Sequence, residues 1–108
     1  MTKNLESGFE KPRHQAPRRS PRVRLSAMVK LRRRGHHNFA VQVFDLSPEG
    51  CKVEFMDKPE LDEVVLLKFE GLEPLEAAVC WIKDVVAGVE FTRPIYPAVF
   101  ELLVSRLK

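Results

Sequence analysis

The chain has little of what most directly marks an enzyme, a metalloprotein or a membrane protein. Its 108 residues include only two cysteines, three histidines and five glycines, and the glycines do not form a phosphate-binding loop. No nucleophile with a nearby histidine and acid is apparent. No apolar run is long enough to cross a bilayer, and residues 1–6 lack the apolar centre of a signal peptide. These absences predict a cytoplasmic protein that is not an enzyme and needs no cofactor.

The cysteines and histidines also give no sign of a metal site. Cys51 and Cys80 lie far apart in the sequence, each inside an apolar run, which predicts buried free thiols and no disulfide. His36 and His37 are adjacent, so they would point apart on a strand, and no cysteine or carboxylate joins them at ligand spacing. We predict that the two histidines lie in a turn.

Charge is distributed unevenly along the chain. Residues 1–34 contain eleven Lys or Arg and two Glu, a net charge of +9, whereas residues 35–108 carry a net charge of −6. A basic end of this kind either keeps the chain in solution or binds phosphate on a nucleotide, a nucleic acid or a membrane surface.

Apolar and polar residues alternate in a way that predicts strands from Val23 onward. A turn at residues 33–37 separates the first two runs, and the later runs end at Phe91. Beyond Phe91 the spacing changes to that of an amphipathic helix at about residues 94–107. The aromatic residue Trp81 falls in phase with the apolar positions of its run, so we expect it in the core.

Six strands and one helix in a chain of this length form a single small domain. A six-stranded sheet would leave two exposed edges unless it closed on itself. We therefore predict an all-β fold, a small six-stranded antiparallel β-barrel with a C-terminal α-helix. The barrel domain is expected at residues 18–108, preceded by a disordered basic tail at residues 1–17, which has no hydrophobic period.

Two polar segments flank the first strands and are candidates for ligand binding. The first is Arg18-Arg19-Ser20-Pro21-Arg22, just before the first strand. Arginine presents a planar fork of donors that fits phosphate and can also address or stack on guanine. Pro21 stiffens the segment. A solvated basic linker is the alternative interpretation of this segment.

The second segment, residues 45–50, reads as a turn between the second and third strands. The carboxylate of Asp45 can accept from the paired N–H donors on guanine's Watson–Crick edge, and the hydroxyl of Ser47 can reach phosphate or ribose. Gly50 permits either a positive φ or a close backbone approach. The alternative is that Asp45 and Ser47 only hydrogen-bond the backbone of their own turn.

Taken together, the two segments resemble the motifs of the PilZ family of bacterial cyclic-di-GMP receptors. Arg18 and Arg22 match its Arg-x-x-x-Arg motif, and Asp45, Ser47 and Gly50 match its Asp-or-Asn-x-Ser-x-x-Gly motif. The similarity extends over roughly residues 15–108. It implies a β-barrel with a terminal helix in which the arginines and the Asp/Ser segment together bind cyclic-di-GMP.

The resemblance predicts a non-enzymatic receptor that binds cyclic-di-GMP, orders its N-terminal arginine segment on binding, and signals to an unidentified downstream protein. The predicted ligand-binding residues are Arg18, Arg19, Arg22, Asp45, Ser47 and Gly50. Two alternatives stay open: a small basic barrel that binds RNA or DNA, and a PilZ-like adaptor that contacts proteins without binding nucleotide. Nucleic acid is disfavoured, because single-strand readers present aromatic side chains on an exposed strand face. The aromatic residues here fall in phase with the apolar positions of their runs: Phe39, Phe55, Phe69, Trp81 and Phe91.

Overall fold

The structure is a computed structural model that describes residues 22–107. In this part of the chain six β-strands are followed by one α-helix, as the alternation of apolar residues predicted. The elements are β1 Val23–Arg33, β2 Phe39–Ser47, β3 Gly50–Glu54, β4 Val64–Lys68, β5 Leu75–Lys83, β6 Val86–Phe91 and α1 Pro97–Leu107.

The strands form a closed antiparallel barrel in the order β1-β2-β3-β6-β5-β4. Consecutive strands pair as hairpins, apart from β3 and β4, which are not neighbours. Two further pairings join strands distant in the chain, β3 with β6 and β1 with β4. These two pairings close the barrel, because they join strand edges that an open sheet of this size would expose. The predicted six-stranded barrel with a C-terminal helix is confirmed.

One face of every strand contributes to an apolar core inside the barrel. Burial of these side chains is the main favourable term in the stability of such a small domain. The core residues on β1 to β3 include Val29, Leu31, Val41, Val43, Leu46, Cys51 and Val53, and those on β4 to β6 include Val65, Leu67, Ala77, Val79, Ala87 and Val89.

The helix α1 begins at Pro97, three residues later than the predicted start near residue 94. Proline suits the first helical position, because the N–H that it lacks would have no acceptor within the helix. Leu103 is buried, Val99 and Phe100 pack against the core, and the helix contacts β1. No helix within residues 22–107 is long and apolar enough to span a bilayer.

Two β-bulges change which side chains face outward. In β2 the pairs with β3 skip one residue, Phe44, and in β5 the pairs with β6 skip Cys80. A bulge adds one unpaired residue to a strand, so the alternation of inward and outward side chains is offset beyond it. Both bulges therefore bring residues outward that an uninterrupted alternation would place in the core.

The bulge at Cys80 overturns two predictions. Cys51 is a buried free thiol as expected, but Cys80 is only half-buried. Trp81 lies on the outside of the barrel against Gly88, where an added Cβ atom would come 2.1 Å from the indole Nε1. The prediction that Trp81 belongs to the core is wrong, because counting alternate residues cannot detect the extra residue before it.

Candidate functional site

The turn between β2 and β3 is shorter than predicted. Ser47 pairs with Gly50 across the two strands, so only Pro48 and Glu49 form the loop. Asp45 and Ser47 lie on β2 and not in the turn, because the strand continues to Ser47. Both residues occupy outward positions, since Leu46 between them is fully buried. The structure thus places the Asp and Ser of the motif on β2 itself, on the side away from the core, with Ser47 nevertheless covered.

The described part of the first motif meets the second motif directly. Nη1 of Arg22 donates a hydrogen bond to Oδ1 of Asp45 at 2.7 Å. The two side chains are 26% and 16% exposed, so the ion pair is partly shielded from water. The Nε atom of Arg22 is buried and has no hydrogen-bond partner among residues 22–107. Arg22 and Asp45, two of the predicted ligand-binding residues, are therefore in direct contact with each other.

Two further predicted site residues, Arg18 and Arg19, lie outside the described residues. So does the tail predicted at residues 1–17. Their placement in the site stays a prediction that rests on the sequence motif.

Ser47 serves the turn in this structure. Its side chain is almost fully buried, and its Oγ accepts a hydrogen bond from the N–H of Glu49 at 3.2 Å and lies 3.4 Å from the carbonyl oxygen of Gly50. A serine in this position fixes the two-residue loop, as Ser side chains commonly do at turns. Of the two motif side chains on β2, it is therefore Asp45 whose polar atoms are accessible to a ligand.

Gly50 is required by a close backbone approach and not by a positive φ. The positive φ values within residues 22–107 occur elsewhere, whereas a Cβ atom at Gly50 would lie only 2.2 Å from the carbonyl oxygen of Val89. Of the two reasons that the sequence offered for this glycine, the structure selects the second. The close approach holds β3 against β6 beside the motif.

Two basic residues beside Asp45 were not predicted. In the strand register Asp45 lies opposite Arg24 of β1 and opposite Lys52 of β3. Arg24 is exposed and Lys52 half-exposed. Arg22, Arg24 and Lys52 therefore place three cations around one carboxylate. We call these three residues, together with Asp45, the Asp45 face. Lys52 could have been identified from the sequence if Pro48–Glu49 had been recognised as a two-residue loop. A loop of that length places Asp45 opposite Lys52 in the hairpin.

The outer surface continues from the Asp45 face across the barrel. Nζ of Lys52 lies 5.8 Å from the centre of the Phe44 ring, within the range of a cation–π contact. Lys52 is opposite Gly88, and Gly88 is opposite Trp81. Gly88 is buried beneath the indole of Trp81, so the outer side of the barrel has a basic group at Lys52 and an aromatic ring at Trp81 on neighbouring rows.

The chemistry of the Asp45 face suits a ligand with negative charge and paired hydrogen-bond donors. Arginine and lysine provide only donors, and the carboxylate of Asp45 only accepts. Within residues 22–107 the His, Cys, Asp and Glu side chains do not gather in a group of three or more able to hold a metal ion. The arrangement can donate hydrogen bonds to an anion and accept them from a donor group.

Comparison with known proteins identifies one family for most of the chain. The family model of the PilZ domain matches residues 16–107, which include both motifs and the whole described barrel. A search of curated proteins found no significant match.

Proposed function

Because the chain belongs to the PilZ domain family, we propose that it is a cyclic-di-GMP receptor whose binding site is the Asp45 face with the arginines before β1. PilZ domains bind cyclic-di-GMP and are binding domains, not enzymes. The proposal goes further, because it assigns the binding of this ligand to named residues. It also places the receptor in the cytoplasm. The observation that supports it most is the ion pair between Arg22 and Asp45.

Each side chain of this ion pair can exchange its partner for part of the nucleotide. The guanidinium of Arg22 would leave Asp45 for a phosphate, to which it can donate two parallel hydrogen bonds. The carboxylate of Asp45 would accept instead from the N–H donors of guanine's Watson–Crick edge. Neither charge is left without a partner in the complex, which matters because both are partly buried.

The surrounding charges favour a doubly phosphorylated ligand. Arg22, Arg24 and Lys52 exceed the single negative charge of Asp45, and Arg18 and Arg19 would add two more cations from the preceding segment. In this proposal Ser47 holds the loop that positions Asp45, and Gly50 lets the backbone of β3 approach β6. Neither needs to contact the nucleotide through its own side chain.

We also propose that binding orders the arginine segment and that a partner protein recognises the ordered form. Val23 and Arg24 already lie in β1, so the ordering proposed here concerns the residues before it, from about Pro17 to Pro21. Fixing each of these residues costs on the order of 1–2 kcal/mol in backbone entropy, which the phosphate and guanine contacts must exceed. The affinity should therefore be moderate, about micromolar, and should fall as salt screens the arginines.

A nucleic-acid-binding barrel is the second candidate function. The outward position of Trp81 favours it, since single-strand readers stack bases on exposed aromatic rings. Phe55, Phe69 and Phe91 count against it, because they are buried and offer no surface for stacking, whereas Phe39 is half-buried. A protein adaptor without nucleotide binding is the remaining possibility.

Calorimetric titration of the whole chain with cyclic-di-GMP, cyclic-di-AMP, GTP and a short single-stranded RNA tests the proposal. We expect saturable binding of cyclic-di-GMP with a Kd of about 1 μM to 10 μM and weaker binding of the other three. Tighter binding of RNA than of cyclic-di-GMP would favour the nucleic-acid function. Absence of binding to all four would favour the adaptor.

A further inference from the structure

A second basic surface lies at the far end of β1 from Arg22. It is an open groove of about 590 Å³ between the β1–β2 turn and the outer side of β4. Arg32, Leu66 and Glu76 form one row across it, since Arg32 is opposite Leu66 on β4 and Leu66 is opposite Glu76 on β5. Arg34 and His36 border the groove from the turn, and Val64 extends its floor. We call this surface the β4 groove.

The three arginines of the β4 groove differ in whether their charge is paired within the barrel. Arg33 donates to both carboxylate oxygens of Glu63, at 2.5 and 2.8 Å, and lies 5.5 Å from the centre of the Phe55 ring. Its charge is therefore neutralised within the barrel. Arg32 and Arg34 are exposed, and neither has an ion-pair partner among residues 22–107.

Further positive charge adjoins the groove along the same strands. Lys30 of β1 lies directly opposite Lys68 of β4, one outward position along from Arg32. Like charges directly opposite each other in a sheet destabilise it, so their placement here has a cost to the fold that an anionic partner would relieve. Glu76 is the single acidic residue lining the groove.

The floor of the groove is apolar. Val64 is 48% exposed although it lies on a strand, and Leu66 beside it is half-buried. An apolar floor bordered by unpaired arginines fits a ligand that combines aliphatic groups with carboxylates. A nucleic acid fits less well, because the lining contains no aromatic ring on which a base could stack.

We propose that the β4 groove binds an acidic segment of a partner protein, with aliphatic side chains on Val64 and Leu66 and carboxylates on Arg32 and Arg34. This interaction goes beyond nucleotide binding and uses a different face of the barrel. At about 3.3 Å per residue, the twelve steps from Arg22 to Arg34 along β1 span up to about 40 Å. One receptor can therefore hold the nucleotide and the partner at the same time.

The test is a titration of the whole chain against a short fluorescein-labelled peptide of alternating glutamate and leucine, followed by anisotropy. A peptide of alternating lysine and leucine and a short single-stranded RNA are the comparison probes. Amide chemical shifts recorded with the unlabelled acidic peptide locate the site. We expect the acidic peptide to bind best and to shift residues 32–36 and 64–66, with little effect at residues 45–50.

Three charge changes give the residue-level check. Arg32→Glu and Arg34→Glu should each weaken binding of the acidic peptide by at least about tenfold, since each change removes a charge-assisted hydrogen bond and adds a like charge. Glu76→Lys should strengthen it. The control is Lys83→Glu, which makes the same change of charge as the arginine variants at an exposed position of β5, about 23 Å along the strand from Glu76. It should alter binding of the acidic peptide less than twofold.

The proposal is overturned if the acidic peptide does not bind, if RNA binds in its place, or if Lys83→Glu weakens binding as much as Arg34→Glu does. Titration of the same variants with cyclic-di-GMP keeps this result separate from the proposed function. Unchanged nucleotide affinity in Arg32→Glu and Arg34→Glu supports two independent sites. If the wild type binds the acidic peptide but not cyclic-di-GMP, the nucleotide proposal fails and the groove proposal stands.

Discussion

At the scale of single residues, Asp45 is the position where charge determines selectivity. Its carboxylate is the one acid among three cations on the Asp45 face, and it holds Arg22 at 2.7 Å. Removing the carboxylate would leave a more positive surface that still attracts phosphate but no longer accepts from a base edge. Affinity and selectivity should therefore respond differently to changes at this residue.

We predict that Asp45→Ala narrows the preference for cyclic-di-GMP over cyclic-di-AMP by about tenfold or more, because guanine offers paired donors to a carboxylate and adenine does not. Calorimetry with both nucleotides measures the ratio. Glu76→Ala, which removes an acid on another side of the barrel, should keep the wild-type ratio. Equal weakening of both nucleotides by Asp45→Ala would show that the residue only shapes the site.

A second prediction concerns the ion pair between Arg33 and Glu63. The hydrogen bonds from Arg33 lower the pKa of Glu63 below its ordinary value, with smaller help from a backbone N–H. The pair therefore stabilises the fold fully above the unfolded pKa of about 4.3 and loses its contribution as pH falls through the lowered folded pKa. Glu63→Gln should destabilise the protein by about 1–3 kcal/mol at neutral pH, since it leaves the charge of Arg33 without a counter-ion.

Urea unfolding at several pH values tests this account of Glu63. The difference in the free energy of unfolding between wild type and Glu63→Gln should shrink as the pH is lowered from about 5 toward 2. Glu101→Gln, on the exposed side of α1, should follow the wild type throughout. A gap that stays constant with pH would mean that the ionised Glu63 is not the stabilising group.

At the scale of the elements, the bulge in β5 gives the two cysteines different surroundings. Cys51 points into the core, and burial raises the pKa of its thiol far above the ordinary value. Cys80 is the bulged residue and is half-buried, with its Sγ 3.4 Å from the carbonyl oxygen of Gly88. Because thiol reagents react with the thiolate, the fold should protect Cys51 more strongly.

We therefore expect a thiol reagent to modify Cys80 first in the native protein and to reach Cys51 only when the barrel unfolds. Mass spectrometry of the native and the urea-unfolded chain distinguishes the two. Cys80→Ser should abolish the fast phase of labelling and leave the slow phase. Fast labelling of Cys51 in the Cys80→Ser protein would show that β3 opens readily.

The elements also show which features can be predicted from the sequence. The run from Val23 to Leu31 alternates without interruption, so the first strand and its inward face follow directly from the period of two. The bulges at Phe44 and Cys80 could not be predicted, because one extra residue in a strand leaves no distinctive composition. For that reason the position of Trp81 was wrong, while the barrel itself was right.

The same distinction applies to the candidate site. Arg22, Asp45 and Gly50 stood out from their motif spacing, and the structure brings the first two into contact. Arg24 and Lys52 were missed because their position beside Asp45 depends on the register of three strands. The two-residue loop after Ser47, which the sequence alone had placed inside a longer turn, sets the register of Lys52. The position of Arg24 depends on the pairing of β1 with β2, whose register shifts between Arg24 and Ala27.

At the scale of the whole molecule, the barrel separates two basic surfaces on one strand. The Asp45 face lies where the chain enters β1, and the β4 groove lies where β1 ends. The first surface contains a carboxylate paired with an arginine, and the second has an apolar floor. A nucleotide and a protein segment would thus bind different surfaces of the same small domain.

The central claim is that Arg22, released from Asp45, binds cyclic-di-GMP, and calorimetric titration of Arg22→Ala against wild type tests it most directly. Arg34→Ala is the matched control, because it removes an exposed arginine at the other end of β1. We predict that Arg22→Ala lowers the affinity at least about thirtyfold, roughly 2 kcal/mol, with an almost unchanged melting curve, while Arg34→Ala binds like wild type. An affinity in Arg22→Ala equal to that of wild type, in a protein that melts normally, would contradict the account.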